Sequence, residues 1–161
     1  MSVTGLIRDA RPADFASIAA LNADSESFLS PMSETRVERL HGWAAYHRVI
    51  HRDAQVAAFL LAFREGAAYD SPNYRWFSER YDSFVYIDRV VVAPAHRGQG
   101  LATFLYLDVF AYARKSGVPI VTCEFDVEPP NEVSRRFHDK LGFQEVGLHA
   151  YNNKRVSMQA R

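Results

Sequence analysis

The segment from residue 84 to residue 125 constrains the fold of this chain most strongly. It begins with a β-branched and aromatic run at 84–92 and continues through a glycine-containing turn into a long helical run at 100–116. A second apolar run with strand character follows at 118–125. A strand, a helix and a strand in this order form a βαβ unit, whose two strands lie parallel in one sheet. The sequence therefore predicts a mixed α/β fold organised around one parallel strand pair.

The rest of the chain supplies shorter elements. In chain order, the other predicted elements are a strand at 6–9, helices at 12–21 and 33–43, strands at 46–51 and 55–63 joined by a turn at Arg52 and Asp53, a helix at 131–141, and strands at 143–151 and 155–159. The segment at 64–83 is aromatic-rich and irregular, and loops of this length are often functional. We therefore expect an α+β fold with about four helices and a mixed sheet of about six to seven strands.

Composition describes an ordinary globular chain. Of 161 residues, 48% are hydrophobic and 24% are charged, which predicts one domain over residues 1–161. Nineteen basic residues balance nineteen acidic ones, so no excess charge favours nucleic-acid binding. The longest apolar run, at 56–63, is too short to cross a membrane, and residues 1–11 lack the apolar stretch of a signal peptide. We expect neither nucleic acid nor a membrane as a partner.

The cysteine and histidine content argues against structural metals and disulfides. Cys123 is the one cysteine of the sequence, so no internal disulfide forms, and a reducing, cytoplasmic location is expected. Its apolar surroundings favour a buried side chain over a nucleophile. The histidines show no spacing typical of metal ligands, and we predict no metal site.

The turn inside the βαβ unit has the chemistry of an anion site. Residues 90–103 read VVVAPAHRGQGLAT. A helix start exposes unpaired N–H groups and the positive end of the helix dipole, and glycine lets the backbone close around a phosphate. A nucleotide P-loop would need Lys followed by Ser or Thr where this chain has Leu101 and Ala102. A dinucleotide fingerprint would need Gly or Ala at Thr103, so both nucleotide patterns fail.

Two motifs in this region resemble those of one enzyme family. The pattern Arg97-x-x-Gly100-x-Ala102 after an apolar strand resembles the pyrophosphate-binding motif of the GNAT superfamily of N-acetyltransferases, Arg/Gln-x-x-Gly-x-Gly/Ala. Downstream, the sequence NEVSRRFHDKLGF at 131–143 resembles the family pattern Asn-x-x-Ala-x-x-Phe-Tyr-x-x-x-Gly-Phe. The two motifs occur in family order and at family spacing, and together with the preceding strand they cover about residues 84–143.

The resemblance implies a fold and a co-substrate. The family sheet splays between its two central parallel strands and binds acetyl-coenzyme A (acetyl-CoA) there. The residues implied in binding this co-substrate are Val90, Val91, Val92, Arg97, Gly98, Gln99, Gly100, Leu101, Ala102, Thr103, Asn131 and Ser134.

The resemblance also implies direct attack of a primary amine on the thioester, with three catalytic roles. The backbone N–H of Val90 polarises the thioester carbonyl. Asp88 is the implied base, acting through a water, or alternatively it pairs with Arg89 or caps the splayed strands. His138 stands where many family members carry the tyrosine that protonates the thiolate, and an imidazolium is a competent acid near neutral pH. Alternatively His138 is a packed, hydrogen-bonded residue, and Tyr106 or another tyrosine is the acid.

Helical spacing assigns two faces to the helix at 131–141. The polar face is predicted to carry Asn131, Ser134 and His138 toward the co-substrate. The core stripe beside it is predicted to consist of Val133, Phe137 and Leu141.

The acceptor amine is expected beside two irregular segments, as in the family. Phe28 belongs to the first, and Tyr74 and Trp76 form an apolar wall in the second. Alternatively these aromatics pack a second hydrophobic cluster or the interface of a homodimer.

Glu124 is expected either to orient the amine or a water, or to be a solvated strand end. The sequence therefore predicts an N-acetyltransferase that acts on a small-molecule or peptide amine. The alternative is a non-catalytic acyl-CoA-binding module.

Overall fold

A mixed sheet of seven strands forms the centre of the molecule in a computed structural model that describes residues 7–25 and 29–161. The strands are β1 (Ile7–Asp9), β2 (Tyr46–Arg52), β3 (Gln55–Arg64), β4 (Val85–Val92), β5 (Val121–Glu128), β6 (Gln144–Tyr151) and β7 (Lys154–Ala160). They lie in the order β1-β2-β3-β4-β5-β7-β6. The β4–β5 pair is parallel and every other pair of neighbours is antiparallel. The predicted βαβ unit is therefore confirmed.

Five α-helices cover the sheet in the described part of the chain. They are α1 (Phe15–Ala23), α2 (Glu34–Trp43), α3 (Pro72–Ser78), α4 (Leu101–Lys115) and α5 (Glu132–Lys140). Four were predicted, and Ser33 caps α2, because its side chain accepts the backbone N–H of Arg36. Helix α3 corrects the prediction of an irregular segment at 64–83. It has seven residues, too few to show a helical period. Its start is fixed by Ser71, whose side chain caps the helix, and by Pro72 at the first helical position.

The sheet separates two hydrophobic cores. Ile18 and Leu40 of α1 and α2 pack with Phe59 on one face. Leu105 of α4 packs with Leu60 on the other. Neighbouring side chains of β3 thus point into different cores, which explains why this strand is apolar at successive positions.

Strand β4 carries a β-bulge at Asp88. On β3, the consecutive residues Leu61 and Ala62 pair with Arg89 and Ile87, so Asp88 is an extra residue in β4. Before the bulge, Tyr86 points into the core formed with α1, α2 and α3, and after it the odd-numbered residues point there. Asp88 and Arg89, although adjacent, therefore both serve the same side of the sheet.

The parallel strands separate just where the bulge begins. β4 and β5 pair at two positions, Val85 with Val121 and Tyr86 with Thr122, and then diverge. The splayed sheet that the family resemblance implied is present.

Candidate functional site

The gap between the diverging strands opens into a cavity of about 560 Å³ that is lined from both faces of the sheet. Its wall combines β4 and β5 with the connection between α1 and α2, the start of α3, and helices α4 and α5. The wall residues that bear on function are Ser30, Tyr69, Asn73, Asp88, Arg89, Val90, Tyr106, Glu124, Asn131, Ser134 and His138.

The glycine turn leads directly into the first residue of α4. Gly98 and Gly100 both have a φ of 78°, in the left-handed region where glycine is favoured. No side chain caps the helix at Gly100, and the helix runs for 15 residues, so its first N–H groups and its dipole are available to an anion. Leu101 is buried in the core, so only its backbone serves this turn, while Arg97 is exposed.

Backbone directions in β4 decide which of its N–H groups face the gap. Val85 donates its N–H to Ile120 on the β5 side, and Ala93 donates to Ala57 of β3 at 2.7 Å. In an antiparallel pair the N–H groups alternate in direction. The N–H groups of Val90 and Val92 therefore point toward β5, into the gap.

Val91 requires a correction. By the same alternation its N–H and C=O both point toward β3, and its side chain is buried in the core on the α1 and α2 face. Val91 therefore offers no backbone group to a ligand in the gap, unlike the neighbouring Val90 and Val92.

Asp88 is held on both carboxylate oxygens. Tyr69 donates its hydroxyl to Oδ1 at 2.6 Å, and Arg89 donates Nε–H to Oδ2 at 2.6 Å. The side chains of this ion pair are 5% and 6% exposed. Of the interpretations of Asp88, the structure shows the pairing with Arg89, and each carboxylate oxygen already accepts one hydrogen bond.

Glu124 has a different environment. Its Oε1 accepts hydrogen bonds from Tyr86 at 2.8 Å and from Asn73 Nδ2 at 3.0 Å. Its Oε2 is shielded from solvent and has no hydrogen-bond partner in the described part of the chain. Burial, and then the negative charge of Asp88, raise the pKa of Glu124 to about 8. The interpretation as a solvated strand end is wrong, because the carboxylate is enclosed within the cavity wall.

His138 lies in an aromatic environment on the buried side of α5. Its ring stacks on Phe125 with 5.6 Å between the ring centroids and an interplanar angle of 28°. Nδ1 lies 2.7 Å from the carbonyl oxygen of Ser134, which can only accept, so Nδ1 carries the proton. Nε2 then accepts the hydroxyl proton of Tyr106 at 2.8 Å. Burial lowers the pKa of His138, so the ring is neutral near pH 7 and does not stand ready as an imidazolium acid.

The predicted faces of α5 require a correction. Val133 is 82% exposed rather than part of the core, whereas His138 is 5% exposed. Asn131 caps the helix by accepting the N–H of Ser134, and both side chains lie on the cavity wall beside His138. The aromatic pocket of Phe125 accepts the imidazole because its polar atoms are satisfied by Ser134 and Tyr106.

The predicted aromatic acceptor wall lies elsewhere. Tyr74 is buried, and it donates its hydroxyl to the carbonyl of Arg64. Trp76 packs against Gly147, where a Cβ would lie 2.5 Å from its ring. Neither lines the cavity, and Phe28 lies outside the described residues.

The segment at 64–83 instead supplies Tyr69 and Asn73 to the cavity wall. A helix start at Asn73 could have been predicted from the sequence, because Ser71 is a typical helix cap and Pro72 is typical of the first helical position. No comparable signal marks Tyr69, whose partner Asp88 lies beyond that helix.

Cys123 is buried, as expected, and burial raises the pKa of its thiol, which favours the neutral thiol over the thiolate. Within residues 7–25 and 29–161, no three or more His, Cys, Asp or Glu side chains are grouped so as to hold a metal ion. Of the helices described, none combines the length and apolarity needed to span a membrane.

A splayed parallel pair beside a glycine turn at a helix start defines the acyltransferase class of site that the motifs implied. The family model described as the acetyltransferase (GNAT) family matches residues 15–143. The chain belongs to this family and is an N-acetyltransferase.

Solved structures share the fold at low sequence identity. Ard1 from Thermoplasma volcanium has a TM-score of 0.77 and 17% identity, over 96% of this chain and 95% of its own. Naa20 from Chaetomium thermophilum, in complex with a bisubstrate analogue, has a TM-score of 0.76 and 17% identity over 96% and 85%. The ribosomal-protein-S18-alanine N-acetyltransferase from Escherichia coli has a TM-score of 0.70 and 16% identity over 96% and 90%. No curated protein matches the chain by sequence.

Proposed function

We propose that the chain transfers the acetyl group of acetyl-CoA to a primary amine by direct attack within a ternary complex. The acceptor is a small molecule, an amino acid, or a peptide or protein amine. The observation that carries the proposal is Glu124, whose unpaired Oε2 lies in the same cavity wall as the N–H of Val90. A base and a free N–H donor that line one cavity are the pair of groups that acyl transfer to an amine requires.

The turn at Gly98 and Gly100 would hold the pyrophosphate of the co-substrate, because it offers a helix start without a capping side chain. Val90 would donate its N–H to the thioester carbonyl oxygen, on which negative charge develops during attack. When bound, acetyl-CoA supplies the activated acyl group and the thiolate leaving group.

Glu124 is the base in this proposal rather than Asp88. An alkylammonium has a pKa near 10, so a carboxylate near 4 removes its proton poorly, whereas one near 8 is better matched. Asp88 has both oxygens occupied by Tyr69 and Arg89. Its charge contributes instead by raising the pKa of Glu124.

Two protons leave the acceptor nitrogen during the reaction. The ammonium loses the first to Glu124, whose side chain is partly exposed to the cavity, and water in the cavity carries this proton away. The neutral amine then attacks the carbonyl carbon, forming the C–N bond as the C–S bond breaks, and Glu124 takes the second proton. A free thiol has a pKa of about 8.5, close to that of Glu124, so the carboxyl group can return this proton to the sulfur.

The assay that tests the proposal follows release of the coenzyme A thiol over a panel of amines, amino acids and short peptides. Glu124→Gln is expected to lower kcat/KM by about 100-fold or more while leaving acetyl-CoA affinity within about twofold. Glu128→Gln is the matched control, since Glu128 lies on the same strand but is exposed and pairs with Arg155. Wild-type protein that binds acetyl-CoA but releases no thiol with any amine would instead indicate a binding module.

A further inference from the structure

Arg89 connects the reacting strand to the connection between α1 and α2. Its Nη1 donates to Asn22 Oδ1 at 2.9 Å and to the carbonyl of Ser30 at 3.2 Å. Its Nη2 lies 3.2 Å from Ser30 Oγ, and its Nε bonds Asp88. Asn22 also donates to the Ser30 carbonyl at 3.0 Å, so Arg89 Nη1, the Asn22 amide and this carbonyl form a closed hydrogen-bonded ring.

The β-bulge makes this connection possible. Arg89 follows the extra residue Asp88, so both side chains reach the α1 and α2 side of the sheet. The next residue, Val90, directs its N–H into the gap where the thioester would lie. Arg89 therefore joins β4 to the part of the cavity wall that contains Ser30. It does so one residue before Val90, the proposed oxyanion donor.

Ser30 and its neighbours Leu29 and Pro31 form that wall. Arg89 is buried, with 6% of its surface exposed, and its hydrogen bonds to Asn22 and Ser30 are charge-assisted. A lysine at this position would keep a positive charge for Asp88, but it has no planar fork to reach Asn22 and Ser30 together.

We propose that Arg89 is a positioning residue that sets the affinity for the acceptor amine by holding the Ser30 wall beside the reacting strand. The inference rests on the proposed function, because it concerns the acceptor side of the same cavity. The Ser30 wall lies on the α1 and α2 face of the sheet, whereas the pyrophosphate turn begins α4 on the other face, so the effect of Arg89 is expected on the acceptor and not on acetyl-CoA.

The test compares Arg89→Lys with wild type for both substrates. The acceptor KM is expected to rise about tenfold or more, with kcat and the acetyl-CoA Kd within about threefold. Arg8→Lys is the control, because Arg8 also pairs with a carboxylate, Asp14 at 2.8 Å, in a partly exposed position outside the cavity wall. It is expected to leave the acceptor KM unchanged.

Two further measurements keep the test decisive if Arg89→Lys folds poorly. Ser30 is exposed, so Ser30→Ala is expected to fold and to raise the acceptor KM about threefold. Hydrogen exchange at the Leu29 amide, which donates to Ser25, is expected to speed up in Arg89→Lys and not in Arg8→Lys.

The outcomes separate the two proposals. An absence of turnover by the wild type with every amine would contradict the proposed function. Turnover with an unchanged acceptor KM in both Arg89→Lys and Ser30→Ala would overturn the role of Arg89 alone. An equal loss of acceptor and acetyl-CoA affinity would also overturn it, because a general loss of structure would then explain the effect.

Discussion

Tyr86 donates its hydroxyl to Glu124 Oε1 at 2.8 Å, at the point where β4 and β5 part. The last paired residue of one strand thus orients the carboxylate on the next. This bond lowers the pKa of Glu124 against the larger effects of burial and of the Asp88 charge. With the hydrogen bond from Asn73 and the charge of Asp126, the balance of these effects raises the pKa of Glu124 to about 8.

The pH dependence of catalysis should report this balance. Glu124 must be ionised to accept a proton, so kcat/KM is expected to rise with pH through about 8. In Tyr86→Phe the carboxylate loses a donor that favours its charged form, so the rise should shift to higher pH. Initial rates from pH 5.5 to 9.5 with a saturating co-substrate measure both profiles. An unshifted profile in Tyr86→Phe would show that another group sets the pH dependence.

The same carboxyl group should affect stability with the opposite trend. Its pKa is raised in the folded state, so the folded protein retains a proton that the unfolded chain releases above about 4.5. Stability from this group is present at low pH and is lost as pH rises toward 8. Glu124→Gln lacks this titration, so its stability relative to wild type should increase from pH 5 to pH 8. Urea unfolding at several pH values measures this, and parallel stability curves would contradict it.

The two ends of α4 offer a matched pair of glycine substitutions. Gly100 and Gly117 have φ values of 78° and 70°, and an added Cβ meets no atom closer than 3.7 Å at either. Alanine at each should therefore destabilise the fold by about 1–2 kcal/mol through backbone conformation alone. Only Gly100→Ala is expected to weaken acetyl-CoA binding, by about tenfold, because it reshapes the phosphate turn. Thermal unfolding and calorimetric titration measure the two effects, and equal affinities would argue against this turn as the binding site.

His138→Phe tests whether the imidazole supplies a proton. Because the neutral ring donates to Ser134 and accepts from Tyr106, we expect kcat to stay within about threefold of wild type, with reduced stability. The measurement is kcat against pH at saturating substrates. If kcat of His138→Phe fell by about 100-fold and recovered at low pH, His138 would be the general acid after all.

The sequence predicted those helices, strands and turns whose formation depends on residues close together in the chain. The strand, turn and helix around Gly100 were recognisable because each residue type acts within one element. The enclosure of Glu124 was not, because its donor Asn73 lies 51 residues earlier, on a helix too short to show a period.

The bulge escaped prediction for a related reason. Strict alternation places Asp88 and Arg89 on opposite faces of the sheet, and only the pairing with β3 reveals the extra residue. Likewise, periodicity placed Val133 in the core, whereas the aromatic contacts of His138 decide which side of α5 is buried.

The cavity opens where a single surplus amino acid shifts the alternation of β4. In an uninterrupted strand, side chains would alternate strictly between the two cores from Val85 to Val92. The residues after Asp88 would then point to the opposite core from the one they contact here. Asp88 is therefore both a side chain of the cavity wall and the inserted residue of the strand. Substitution at this position changes the charge beside Glu124, whereas deletion would reassign every later residue of the strand to the opposite face.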